Sequence, residues 1–536
     1  MQADRVLTEQ QRLLSTLERP EQVQSELLAG ILATNQDTDY SRVHALSKVG
    51  DADEYRRAVP IRTHEDLMPW IDRMLAGESR VLTAEDPVMY FSSSGSTGRE
   101  KHIPVTPSYM REVFLPFYYA SFGVLVRSMP QLLSSADEVL NLWQDPGSPK
   151  GSTRGGQQHI GPSQVDYQQF GESSAAAPGG NASWSRIPPE LADADPYERA
   201  YFKLRLAAEQ NIRLLIAVNP ALAAGLPYQL AQVWPRLVEE IRAGTLGGRP
   251  HGTPDPVRAD EIARHAAEHG TLRPRDLWPE LSAIVVWNSA LGSLYLPNLS
   301  ESYGPGVELI DAPIASSEGP AAVPVDRSPL GAPLYLPGCF YEFVPADRRL
   351  TEDAETVLAH ELEVGRDYHL VVSHLGGLYR CAITDVVEVT GHLGRTPRIR
   401  YAGRGVERPL AGIRLTEPSV IRALAAAVAD TGARLRNATV KPAGDRYQVA
   451  VAGDLPEGFA AALDARLGET ADGYRAARTA GTLAPVQVVR VHHDAFLHEW
   501  ERSIRAGQRP SRVKDRIFLP GTETWARIVT DQEVAA

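Results

Sequence analysis

Apolar positions recur at helical spacing in the stretch EQVQSELLAGILATN, where Val23, Leu27, Leu28, Ile31 and Leu32 fall on one face. This predicts an N-terminal amphipathic helix. Further on, short unbroken apolar runs replace that period. Leu214–Val218 is stopped by Asn219-Pro220, Ile284–Trp287 follows a helix-like stretch, and Val307–Ile310 runs into a turn. Apolar runs separated by helices predict an α/β fold with a mixed or parallel sheet covered on both faces. From about residue 334 short strands dominate: Phe340–Pro345, Tyr368–Ser373, Asp385–Thr390 and Arg398–Ala402. They predict antiparallel sheet.

The stretch 144–182 is rich in Gly, Ser and Pro. It is too long for an ordinary connection, so it reads as disordered or as a lid-like loop beside a site. A boundary is expected at Gly403-Arg404-Gly405. Beyond it come a helix from Val420 to Ala429 stopped by Gly432, an alternating strand (Tyr447, Val449, Val451), a second helix and a strand over Val486–Val491. The expected division is a large domain over 1–404 and a compact α/β domain over 405–536.

Candidate chemistry begins at Ser92-Ser93-Ser94-Gly95-Ser96-Thr97-Gly98, which follows the apolar run Val88–Phe91. A strand that ends in Gly and hydroxyl residues offers backbone N–H groups and hydroxyl donors to phosphate oxygens. A solvated turn is the other reading of such a cluster. The spacing is not that of a Walker loop, because the fifth residue after Gly95 is Glu100. A GxGxxG fingerprint is also missing.

Bulk composition narrows the classes. In 536 residues, 43% are hydrophobic and 23% charged, which is ordinary globular usage. The formal net charge of -12 argues against nucleic-acid or anionic-membrane partners. Cys339 and Cys381 are too few for a disulfide framework or a zinc site and read as core thiols. The opening MQADRVLTEQQRLL lacks the apolar core of a signal peptide, and no run approaches the roughly 18–20 apolar residues of a membrane span, so a cytoplasmic location is expected. His492, His493 and His498 have no carboxylate or thiol partner evident in the sequence, so no metal is expected there.

Several motifs then line up in order. Gln22–Asn35, Thr38-Asp39-Tyr40, Val59-Pro60-Ile61 and Gly77-Glu78 precede Ser93–Pro104, which is similar to an SSGTSxGxxKxIP loop. Ile314-Ala315-Ser316-Ser317-Glu318 matches Y-x-S-S-E, and Phe340–Pro345 matches YFEFIP. Gly377–Gly391 matches GLYRYRxGDxxxVTG, and Ser511–Arg516 stands loosely where a QYKxPR stretch is expected. In these motifs, nearly end to end, the chain resembles the GH3 family of acyl-acid amido synthetases, the auxin- and jasmonate-conjugating enzymes and their bacterial relatives, within the adenylate-forming superfamily.

The resemblance implies a large N-terminal ATP- and acyl-binding domain, with mixed sheets, covering helices and a small β-rich subdomain, and a small mobile C-terminal lid. It implies ATP and Mg2+ as cofactors. Ser93, Ser94, Gly95, Ser96, Thr97, Gly98 and Lys101 would hold phosphates. Ser316, Ser317, Arg404 and Arg414 would bind nucleotide, and Asp385 would accept from the ribose hydroxyls. Glu318 would be catalytic and ligate Mg2+, which takes one or two carboxylates. Lys514 would enter from the small domain as the second catalytic residue. Each has an ordinary reading taken singly. Glu318 reads as a carboxylate at a helix N-terminus, Asp385 as a turn or strand-end residue, and Lys514, between Arg512 and Arg516, as part of a solvated face.

The implied reaction is ATP-dependent amide synthesis: a carboxylic acid is adenylated and its acyl group passes to an amine or amino acid. The partners are small molecules and the chain is expected to be a monomer. Its Ala- and Arg-rich composition suits bacterial specialised metabolism. An acyl-CoA ligase and a divergent non-adenylating binding protein are the alternatives. The chain departs from the family pattern at Ala382 (Arg), Thr384 (Gly), Ile314 (aromatic), Ile413 (Glu) and Arg414 (Lys), which implies an altered site beside the nucleotide base.

Overall fold

A computed structural model describes residues 2–94, 100–173, 176–519 and 521–530. The chain forms two bodies, one of residues 1–131, 144–176 and 311–405, the other of 132–143, 177–310 and 406–536. No helix of the described residues is long and apolar enough to cross a membrane.

In the first body the predicted N-terminal helix spans Pro20–Thr34, with Pro20 at its first turn, where a missing N–H costs nothing. Its buried Gln24 donates to the carbonyls of Leu336 and Cys339 and accepts from the Tyr341 N–H. The helix is thereby fixed to a six-stranded sheet in the order Ala332–Pro333, Thr396–Arg404, Leu378–Leu393, Asp367–His374, Phe340–Pro345, Val357–Leu358. Every pairing in it is antiparallel, as the short strands predict.

A second sheet carries the Ser-rich stretch. Strand Met89–Ser94 pairs antiparallel with Glu100–Val105 and parallel with Gln158–Ile160, which pairs with Gly151–Ser152. Two of its strands therefore come from the stretch read as disordered or lid-like. Gln158-His159-Ile160 contains one apolar residue, too few to show a period in the sequence.

In the second body a four-stranded sheet runs in the order Glu308–Asp311, Ala283–Val286, Leu214–Val218, Val139–Asn141. The last three strands are parallel; the continuous apolar runs predict the two at Leu214–Val218 and Ala283–Val286, whereas Val139–Asn141 is too short to stand out in the sequence. Helices Pro196–Ala207, Pro220–Ala243 and Pro256–His269 accompany them, and buried Trp278 closes its indole N–H on the Ala207 carbonyl.

The same body holds the C-terminal elements. Helix Glu417–Thr431 begins at a reciprocal cap, in which the Thr416 hydroxyl accepts from the Ser419 N–H at 3.3 Å and the Ser419 hydroxyl accepts from the Thr416 N–H at 3.1 Å. It ends at Gly432 with φ +70, the left-handed conformation that glycine adopts without strain. Thr416→Ala is expected to cost about 1 kcal/mol of the stability of this body, read as a lower urea midpoint. Strands Arg434–Ala443 and Arg446–Asp454 are antiparallel, and Gln487–Arg490 adds in parallel.

Both cysteines are fully buried in the first body. Burial pushes the Cys381 thiol up to about 12 and raises Cys339 further. Neither thiol is expected to react with Ellman's reagent at pH 8 in the native protein, and both are expected to react in denaturant. Rapid native labelling would contradict this packing.

Candidate active site

The first body brings three of the predicted residues together. Strand alternation turns Lys101 away from Glu100 and His102, and its ammonium meets Glu318 at 2.8 Å. Glu318 sits in the turn between strands Ile314–Ser316 and Gly319–Ala322. That turn excludes the helix N-terminus reading. The Ser316 hydroxyl accepts the Glu318 N–H at 3.2 Å, and the Glu318 carbonyl lies 2.8 Å from His374 Nε2. Gly376 N–H donates to His374 Nδ1 at 3.0 Å, so Nε2 carries the proton toward Glu318.

The electrostatics follow from this packing. Burial pushes the Glu318 carboxyl up, but the Lys101 charge and hydrogen bond and the Ser316 hydroxyl outweigh it and leave the carboxyl below its usual range. Burial likewise pulls the Lys101 ammonium down, and Glu318, with a smaller contribution from Asp385, carries it above its usual value. Both groups are therefore ionised at neutral pH. Burial pulls His374 down to about 4, so it stays neutral beneath the pair.

Asp385 is half-buried and lies in the middle of strand Leu378–Leu393, not at a strand start, with Arg404 as its cross-strand partner. Ser316 and Ser317 are half-buried in the Glu318 hairpin. Ser93 and Ser94 lie in strand Met89–Ser94, paired with Lys101 and Glu100. Gly95, Ser96, Thr97 and Gly98 fall outside the described residues.

The second body holds Lys514 and Arg414. Asn219, at the end of strand Leu214–Val218, caps helix Pro220–Ala243 through the Ala221 N–H and donates to the Val513 carbonyl at 2.7 Å. Asp515 accepts from the Tyr295 hydroxyl at 2.5 Å and from Asn437 at 2.7 Å. These contacts hold the backbone on either side of Lys514, whose exposed ammonium lies 4.9 Å from the centre of the Trp287 ring. Asn219 and Trp287 end parallel strands, the edge at which open α/β sheets bind ligands. Arg414 pairs with Glu407 within the hairpin Glu407–Leu410/Ile413–Thr416.

Sequence reasoning missed a buried ion pair. Arg380 and Glu342 face each other through two hydrogen bonds of 2.9 and 3.0 Å, with side chains 4% and 1% exposed. Arg380 also donates to the carbonyls of Arg56 and Val59, and Thr356 donates to Glu342. Both lie in quoted motifs, but nothing in the sequence links positions 38 apart. Two of the departures are packing positions. Ala382 joins Ile61, Val344 and Val371 in a small apolar cluster, and Ile413 is buried in the main core of the second body.

The histidines near 492 do have a carboxylate neighbour, contrary to the sequence reading: one donor atom each from His492, Asp494 and His498 lies within 4.8 Å of the others. Among the described residues, Glu100, His102 and His159 form a second such group.

The fold is that of the adenylate-forming enzymes. It is similar to the solved GH3.15 acyl acid amido synthetase in complex with 2,4-DB, with TM-score 0.78, 19% identity and coverage of 97% of this chain and 95% of that one. A 2-hydroxyisobutyryl-CoA ligase in the postadenylation state is more distant, with TM-score 0.53, 12% identity and coverage of 95% and 91%. Within that class the chain belongs to the GH3 family: residues 9–309 match its N-terminal domain and 333–404 its central domain. A probable indole-3-acetic acid-amido synthetase GH3.12 of Oryza sativa subsp. japonica is 28% identical over 439 residues, 71% of this chain and 68% of that protein. The jasmonoyl-L-amino acid synthetase JAR4 of Nicotiana attenuata is 27% identical over 409 residues, 71% and 69%.

Proposed function

We propose that this protein is an ATP-dependent amide synthetase, which adenylates a carboxylic acid and transfers the acyl group to an amine or amino acid. The observation that carries the reading is the charged Lys101–Glu318 pair, whose lysine lies on the strand that leaves the Ser/Gly stretch. Attack of a carboxylate on the α-phosphate, with pyrophosphate leaving, builds negative charge on phosphate oxygens, and a preorganised cation lowers that barrier. Lys101 supplies the cation. A triphosphate offers it competing anions, so nucleotide binding draws it from Glu318.

Glu318 is an ionised, buried hard-oxygen donor, which fits Mg2+. Bound there, the ion would neutralise phosphate charge. Asp385 receives the ribose hydroxyls, with Ser316, Ser317, Arg404 and Arg414 as further nucleotide contacts and residues 93–98 as the phosphate cradle. Residues 405–536 form the mobile small domain, hinged at Gly403-Arg404-Gly405, and bring Lys514 to the α-phosphate and acyl oxygens. Its Ala- and Arg-rich composition suits an enzyme of bacterial specialised metabolism, which we place in the cytoplasm as a monomer.

The test is pyrophosphate release from ATP and Mg2+ with a panel of aryl, indole and fatty acids, with and without mixed amines, followed by product masses. Acid-dependent release and an amide mass are expected. A thioester formed with CoA and no amide would replace this reading with the ligase. No release, with no ATP binding in a thermal-shift assay, would sink it.

A further inference from the structure

We propose that Glu100, His102 and His159 form a binding site for a divalent transition-metal ion of the zinc class, on the face of the ribbon opposite Lys101. This site is separate from the carboxylate proposed for Mg2+ and does not depend on the amide-synthetase reading.

The placement follows from strand geometry. Glu100 and His102 are two apart and share a face. Their partners on the next strand are Ser94 and Ser92, and Tyr90, two further on, pairs with His159 on the third strand. Three adjacent strands thus present the three side chains on one side. Glu100 Oε2 lies 3.9 Å from His102 Nε2 and 3.6 Å from His159 Nδ1, and the imidazole rings meet edge to face at 5.0 Å between centres. Donors bound to zinc at ~2.0–2.1 Å in a tetrahedron stand about 3.3–3.4 Å apart. The three donor atoms lie within 4.8 Å of one another, so small side-chain rotations close the difference.

A second observation points to a ligand. His159 Nδ1 is buried and has no hydrogen-bond partner. Such a group is costly to leave unsatisfied, and an ion would satisfy it. The surroundings are built to hold these rings. Gly151 lacks the Cβ that would fall 2.0 Å from His159 Nε2, and His64 Nε2 hydrogen-bonds the His102 carbonyl at 3.0 Å. Two imidazoles and one carboxylate suit zinc, cobalt or nickel over Mg2+, and they leave coordination positions for water or another donor. Glu100 is the first described residue after the Ser/Gly stretch, so the ion would tie the end of that stretch to strand Gln158–Ile160.

The experiment is a cobalt(II) titration of the full-length, untagged chain after EDTA treatment, in a His498→Gln background that disables the group at 492–498. One equivalent is expected, with visible d–d absorption that zinc abolishes and excess Mg2+ does not. His159→Gln and His102→Gln should each lose the absorption, and the melting-temperature rise seen with zinc, while keeping the metal-free circular dichroism of the parent. An unchanged spectrum in both variants would overturn the proposal. So would failure of the His498→Gln parent to take up cobalt or zinc.

Discussion

Glu318→Gln is expected to lower acid-dependent pyrophosphate release by about a hundredfold or more, the size of effect seen when one preorganised electrostatic group is removed. The substitution keeps the shape of the side chain and removes its charge. Two losses combine. The carboxylate that fits Mg2+ becomes a neutral amide, and Lys101, 18% exposed at its side chain, is left without its anionic partner. ATP affinity in a thermal-shift titration should fall much less than turnover, because the other proposed nucleotide contacts remain. Near-normal pyrophosphate release by the folded variant would remove Glu318 from the site.

The largest effect on stability is expected at Glu342. Glu342→Gln leaves the Arg380 guanidinium buried without a countercharge, and breaking such a pair costs about 3–5 kcal/mol. Arg380→Met should cost less, since the Glu342 carboxylate keeps Arg56 Nε at 3.5 Å and the Thr356 hydroxyl at 2.6 Å. The double variant Glu342→Gln/Arg380→Met should be less destabilised than the sum of the two single changes. Urea unfolding of the four proteins, followed in the first body by the exposure of Cys339 and Cys381, reads the cycle. Additive losses would show that the two groups do not act as a unit.

The sequence revealed the strands that carry continuous apolar residues: Leu214–Val218 and Ala283–Val286 appear where apolar runs end at turns. It failed where the pattern is broken by a functional or exposed residue. The sequence pattern starts strand Leu378–Leu393 only at Asp385, because exposed Thr384 and the charge beside it interrupt the run. Strand Gln158–Ile160 carries no period at all. At the site, motif order identified Lys101, Glu318 and Asp385 as candidates, but the contact between Lys101 and Glu318 spans 217 positions and only folding reveals it. The pairing of Arg380 with Glu342 was hidden for the same reason. Ala382 and Ile413 looked like lost functional groups, because a sequence shows which residue replaces another and not which neighbours it packs against.

The strict alternation along Glu100–Val105 limits how this segment can change length. Lys101 faces Glu318, while Glu100 and His102 face the other way. One residue inserted or deleted within the strand would exchange the two faces and bring a carboxylate or an imidazole to the place of the ammonium. Within the strand, viable variants would have to gain or lose residues in even numbers, so the segment has a parity as well as a sequence.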